Sequence, residues 1–219
     1  YKSGKGFRAR ARHKGGGRSE FRGRGRGRSG ASRQQDRYRP LGRPEVLKVL
    51  QSQDMLPAIT FIFSRAGCDG ALYQCLRSRM VLTSQEEAQQ IKEIVDAGVE
   101  GIPEEDLQVL DFKRWREALS RGFAAHHAGM LPAFRHIVED LFVRGLVRAV
   151  FATETLALGI NMPARTVVLE KLIKFNGEAH VDLTPGQYTQ LTGRAGRRGI
   201  DTLGNAVVQW APCLLYTSD

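Results

Sequence analysis

The chain has 219 residues, of which 42% are hydrophobic and 26% charged, an ordinary balance for a soluble globular domain. No run of about 18 apolar residues occurs, so no membrane-spanning helix and no membrane partner is expected. The formal net charge of +10 is unevenly placed: residues 1–44 hold 15 Lys and Arg against 2 acidic residues, a net of +13, and the remainder carries a net of −3.

Residues 1–44 are of low complexity, with ten glycines and an alternating run Arg22–Gly23–Arg24–Gly25–Arg26–Gly27–Arg28. Too few apolar residues are present to offset the entropy of ordering the chain, so a disordered Arg/Gly-rich linker is expected there. Pro44–Glu45 can open a short helix reaching Leu50. Ala58–Phe63 is a brief apolar, β-rich run, consistent with a strand buried on both faces. A helix is expected over about 67–77. Residues 84–121 read as helical with a break at Gly98–Pro103, and Ser84 with Glu87 forms a capping-box pattern. Gly122–His126 reads as a strand.

The clearest helix follows. Phe134, Ile137, Val138, Leu141 and Phe142 recur at helical spacing and form one apolar stripe; Pro132 suits its first turn and Gly145 its end. Val147–Phe151 and Thr166–Leu169 read as strands. Thr184, Pro185 and Gln187 open a last helix as cap, first-turn proline and box partner, and Ala206–Trp210 is a final strand. Strands alternating with helices predict an α/β fold with a mostly parallel sheet and helices on both faces. Ligands of such sheets bind beyond the carboxyl ends of the strands, where the polar, Gly-rich segments are expected to lie.

The three cysteines, Cys68, Cys75 and Cys213, form no C-x-x-C pair. A zinc site or a disulfide framework is therefore not expected, and a cytoplasmic, reducing location is. His126 and His127 are adjacent in a strand and point to opposite faces, so they cannot easily share an ion; no metal site is expected.

Four segments carry chemistry. Gln190–Leu191–Thr192–Gly193–Arg194–Ala195–Gly196–Arg197–Arg198–Gly199–Ile200–Asp201 sets three arginines among three glycines where a helix ends. Glycine lets the backbone approach a ligand, and arginine supplies a rigid fork of donors for phosphate. Arg194 and Arg197, three residues apart, would point the same way on a helical turn, as two groups reaching one polyphosphate would. Phe151–Pro163 follows a strand with hydroxyls, the carboxylate of Glu154, Gly159 and the amide of Asn161. Phe61–Arg65 and His126–Met130 are the other two, both at strand ends.

In this order and spacing these segments resemble the C-terminal half of a superfamily 2 helicase, and more narrowly the DExH-box RNA helicases of the superkiller type in their actinobacterial HelY-type branch. The phrases FIFSRAGCD, AAHHAGMLPAFRH, FATETLALGINMPARTVVLEKL and QYTQLTGRAGRRGID look like motifs IV, IVa, V and VI of that group. The resemblance covers about residues 42–212. It implies a RecA-like domain over 45–212, with a helical insert near 78–121, that faces a first RecA-like domain of the same chain across an ATP cleft. In the family that first domain holds ATP and Mg²⁺ through a P-loop and a DExH motif; neither motif occurs here, so this chain alone is expected to lack ATPase activity. The resemblance makes Arg194 and Arg197 arginine fingers and gives Gln190 a part in positioning the nucleotide or the attacking water. It places Gly159 and Asn161 on the nucleotide side. It sets Ser64, Arg65, His127, Gly129, Thr153 and Thr155 against the backbone of single-stranded RNA, with 3′→5′ travel.

Two rivals stay open at this stage: a DNA helicase of the same superfamily, and a non-catalytic RNA-binding protein with an Arg–Gly tail. The chain begins at Tyr1, which suggests a fragment. Cys213–Asp219 matches nothing in the family pattern and reads as a non-native tail.

Overall fold

The computed structural model describes residues 40–159 and 162–209. The Arg–Gly stretch before residue 40, Asn161, Trp210 and the 213–219 tail lie outside the described residues. So does Cys213.

The chain enters on α1 (Arg43–Ser52), whose Glu45 side chain accepts from the Gly42 N–H. β1 (Ala58–Phe61) follows, then α2 (Arg65–Arg77). The expected strand is thus two residues shorter and the helix two residues longer. The cause is Ser64, whose hydroxyl accepts the Gly67 N–H at 3.1 Å and caps the helix directly after the strand. Next come α3 (Gln85–Gly98), α4 (Glu104–Val109) and α5 (Phe112–Ser120). The Ser84–Glu87 box forms in both directions. A second break, unforeseen, falls at Asp111, which takes a left-handed φ of 54°. β2 (Phe123–His126), α6 (Pro132–Val143) and β3 (Ala149–Ala152) follow. The five stripe residues of α6 are all buried, each contributing about 1.5–3 kcal/mol of apolar burial.

Beyond β3 lie α7 (Thr155–Gly159), β4 (Thr166–Leu169), β5 (Ile173–Phe175) and β6 (His180–Asp182). The expected elements omit α7 and the β5–β6 pair, which is an antiparallel hairpin of its own. α8 (Pro185–Thr192) carries the Thr184–Gln187 box, and β7 (Asn205–Val208) closes the series.

β2, β3, β1, β4 and β7 form one sheet in that order, and every pair is parallel. Alternate strand residues face opposite sides and build two cores. On one side Ile59, Phe61, Ala124, Val150, Val167 and Leu169 pack with α3, α5, α6, α7 and α8. On the other, Ala58, Phe123, Ala125, Phe151 and Val168 pack with α1 and α2. Helices on both faces of a five-stranded parallel sheet make this an α/β, RecA-like fold. The 78–121 helices contribute to the first core through Ile91, Val95, Trp115 and Leu119, and the Trp115 ring stacks on Phe134 with centroids 4.1 Å apart.

Candidate functional site

Because the strands run parallel, their carboxyl ends share one edge. Ser64 and Arg65 follow β1, His127 and Gly129 follow β2, and Thr153 and Thr155 follow β3. These strands are neighbours in the order β2–β3–β1, so the three loops span about 10 Å at ordinary strand spacing. The loops are tied to one another: the Ile62 N–H donates to the Ala152 carbonyl at 2.8 Å and the Thr153 N–H to the His126 carbonyl at 3.2 Å.

Within this edge, Arg65, His127 and Gly129 come together. A methyl group at Gly129 would lie 3.2 Å from His127 Nδ1 and 3.3 Å from Arg65 Cδ. The Gly129 N–H donates to His127 Nδ1 at 3.2 Å. Nδ1 is therefore the acceptor nitrogen, and Nε2–H donates to Asp69 at 3.0 Å. Thr153 and Thr155 share a hydroxyl–hydroxyl bond of 2.9 Å. Ser64 keeps its hydroxyl on the α2 cap.

His126 turns to the other face. Its Nε2 lies 2.8 Å from Glu139 of α6, and its Nδ1 is buried without a hydrogen bond. Burial pushes its pKa below the usual imidazole value, and the Glu139 carboxylate offsets part of that. Cys68 and Cys75 are buried free thiols pushed up to about 12, chiefly by burial.

The arginine loop lies elsewhere. Ala195 pairs with Ala164, two residues before β4 begins, through the Ala164 N–H to the Arg194 carbonyl at 3.0 Å and the Gly196 N–H to the Ala164 carbonyl at 2.7 Å. The loop therefore sits at the amino edge of the sheet, not beyond its carboxyl ends as the general rule for such sheets led us to expect. The reason is topological. A helix that joins two parallel strands must carry the chain back to the starting edge, and α8 leads from the far end of β4 to the start of β7.

Arg194 and Arg197 also do not share a helical turn. α8 ends at Thr192, and Gly196, at φ +90°, turns the chain between them. Arg194 donates to the Ala157 carbonyl of α7. Arg197 forks onto Asp201, with Nε to Oδ2 and Nη2 to Oδ1, both at 2.8 Å. Arg165 adds a third contact to Asp201 at 3.0 Å and reaches Asp54 at 2.8 Å. The Arg197 guanidinium, helped by Arg165, holds the Asp201 carboxyl well below the usual carboxylate range. Gln190 is exposed on α8, one turn before Arg194. Gly159 ends α7.

Thr153 therefore lies at the carboxyl edge of the sheet and Ala164 at its amino edge. The threonine pair opens the first of these positions, the Ala157 carbonyl in α7 receives Arg194, and Ala164 pairs with Ala195. Glu154, next to Thr153, accepts Lys174 of the hairpin at both oxygens, at 2.9 and 2.8 Å. Sequence reasoning missed Asp201, Arg165, Lys174 and Asp69. A carboxylate four residues after Arg197 was a visible signal for the first.

Among the described residues no group of three or more His, Cys, Asp and Glu could hold a metal ion, and no helix is long and apolar enough to cross a membrane.

Residues 101–199 match the family described as the helicase conserved C-terminal domain. The chain is 68% identical over 175 residues, 80% of its length, to a protein named probable helicase HelY of Mycobacterium tuberculosis (strain CDC 1551 / Oshkosh). It is 40% identical over 163 residues, 74% of its length, to the human superkiller complex protein 2 and to the Arabidopsis thaliana DExH-box ATP-dependent RNA helicase DExH11. These alignments span 19% of the mycobacterial protein, 13% of the human one and 12% of the plant one, so the chain corresponds to a small part of each.

Proposed function

Because this chain carries the helicase conserved C-terminal domain of a superkiller-like superfamily 2 helicase, we propose that it is the second motor domain of an ATP-dependent RNA helicase. A first motor domain, elsewhere in the complete protein, supplies the P-loop and the DExH motif that hold ATP and Mg²⁺. When bound, the nucleotide brings a triphosphate whose terminal group develops charge as it is transferred. Arg194 and Arg197 neutralise that charge from across the cleft. Gln190 helps to orient the reacting group, and Gly159 and Asn161 line the nucleotide side.

The strand lies along the opposite edge. Ser64, Arg65, His127, Gly129, Thr153 and Thr155 grip its sugar–phosphate backbone, which holds a strand without reading its sequence. Beside them, a recess of about 460 Å³ is lined by Phe63, Lys171, Phe175 and the Arg43–Glu170 ion pair, among others. Lys171 with the rings of Phe63 and Phe175 suits a single strand. The Arg–Gly arm ahead of α1, which begins at Arg43 and not at the expected residue 45, adds sequence-blind, salt-sensitive affinity. A reducing, cytoplasmic setting fits the free thiols of Cys68 and Cys75.

One observation carries the reading: α7, whose Ala157 carbonyl receives Arg194, starts at the threonine pair on the edge proposed for the strand. Cleft closure that pulls on Arg194 would reach the threonine pair through the Ala157 carbonyl. The test is unwinding by the complete protein of matched RNA and DNA duplexes with a 3′ single-stranded tail. ATP-dependent separation of the RNA duplex is expected. Separation of DNA alone would move the assignment to a DNA helicase, and RNA binding without ATP-dependent separation would leave a non-catalytic binding protein.

A further inference from the structure

Asp201 is an unusual carboxylate for a surface loop: its side chain is only 1% exposed. Both oxygens are fully used. Oδ2 accepts the Arg197 backbone N–H at 3.0 Å and Nε at 2.8 Å; Oδ1 accepts Arg197 Nη2 at 2.8 Å and Arg165 Nε at 3.0 Å. Four bonds are about the capacity of one carboxylate.

Arg165 is itself held from a third direction. Its Nη1 donates to the Asp54 carbonyl at 2.5 Å and to Asp54 Oδ2 at 2.8 Å, at the turn between α1 and β1. A chain of contacts thus runs Asp54–Arg165–Asp201–Arg197, alternating in charge. Asp201 engages one edge of the Arg197 guanidinium, the Nε–Nη2 edge. Both Nη1 hydrogens and one on Nη2 remain, and no other acceptor among the described residues takes them.

We propose that Asp201 is a positioning residue: it grips Arg197 by its inner edge and keeps the outer edge set for the phosphates held by the first motor domain. The inference rests on the finger role proposed above for Arg197. Two facts favour a fixed mount over a latch that lets go when ATP arrives. The Asp201 side chain is covered, and releasing the Arg197 guanidinium would strip two of its four bonds. Arg165, already shared with Asp54, would then be the one side-chain cation left on that covered carboxylate.

The experiment compares steady-state ATP hydrolysis, in saturating RNA, by the complete protein and its Arg197→Ala, Asp201→Asn and Arg165→Met variants. RNA affinity and unfolding temperature are measured on each. Asp201→Asn is expected to lower kcat by roughly 100-fold, the cost of a misplaced catalytic group, with KM for ATP and RNA affinity nearly unchanged. Asp201→Asn placed on Arg197→Ala should add no further loss, since it acts through that residue. Should Asp201→Asn fail to fold, Arg165→Met reads the same chain one contact further out, with a smaller fall in kcat. Wild-type kcat in whichever of these variants folds, or a rise in kcat, overturns the proposal while leaving the finger reading intact. Wild-type turnover in Arg197→Ala instead defeats the finger reading itself.

Discussion

Lys174 Nζ sits 2.9 and 2.8 Å from the two carboxylate oxygens of Glu154, joining the β5–β6 hairpin to the loop that leaves β3. Among the described residues, the hairpin's other ties are the Leu183 N–H to the Leu172 carbonyl at 2.8 Å and Leu183 against the first core. Ile173 and Phe175 are exposed, and its main internal side-chain contact is Phe175 against His180 at 5.5 Å between ring centroids.

Breaking that pair with Lys174→Met should loosen the hairpin without unfolding the domain. Amide hydrogen exchange at residues 173–182 is expected to speed up by about five- to tenfold, as a contact worth about 1 kcal/mol is lost. Exchange in β1 and β3 should not change. Equal acceleration everywhere would show that the pair supports the whole domain, and no acceleration would show that the hairpin is held by other means.

The buried His126 makes stability depend on pH in a stated direction. Burial lowers its folded pKa below the ordinary 6.5. The unfolded chain therefore takes up a proton that the folded domain refuses. The stabilising contribution is complete above about pH 6.5 and is lost as pH falls from there towards the folded value. Urea unfolding between about pH 7.5 and 5.5 should show stability falling on acidification, with a shallower fall in His126→Gln. An identical slope in the variant would assign the acid sensitivity to another group.

Gly204 is the close-contact glycine under the arginine loop. An added Cβ there would lie 2.5 Å from the Ala195 carbonyl carbon and oxygen and 2.6 Å from the Gly196 nitrogen, all backbone atoms. Gly204→Ala should cost about 1–3 kcal/mol, as overpacking does, and displace the loop that carries Arg194 and Arg197. Chemical denaturation measures the first effect. A loss below about 0.5 kcal/mol would mean that the loop can move aside freely.

The parts of the fold that the amino-acid pattern revealed share a cause. The α6 stripe, the Ser84 and Thr184 boxes and the short apolar strands each write a packing or capping requirement into local spacing. The β5–β6 hairpin escaped because its strands are three residues long and bury no continuous face. A turn signal was present in Asn176–Gly177, where the Asn176 side chain accepts the N–H groups of Glu178 and Ala179 and Gly177 adopts φ +108°.

At the candidate site, the residue types were legible but their placement was not. Arg65, His127 and Gly129 converge because three neighbouring strands end together, a consequence of strand order that no local pattern reports. The arginine loop falls at the opposite edge because α8 must return the chain to the start of β7. Asp201 was visible as an acidic residue near Arg197. That its side chain is covered and shared with Arg165 depends on a contact 36 residues away in sequence.

The central claim is that Arg197 serves phosphate chemistry and not the surface charge of the domain. It is tested most directly by RNA-dependent ATP turnover of the complete protein carrying Arg197→Ala. Turnover is expected to fall by roughly 10³-fold or more, with RNA affinity close to that of the unaltered protein. Turnover within a few-fold of the unaltered protein would contradict the account.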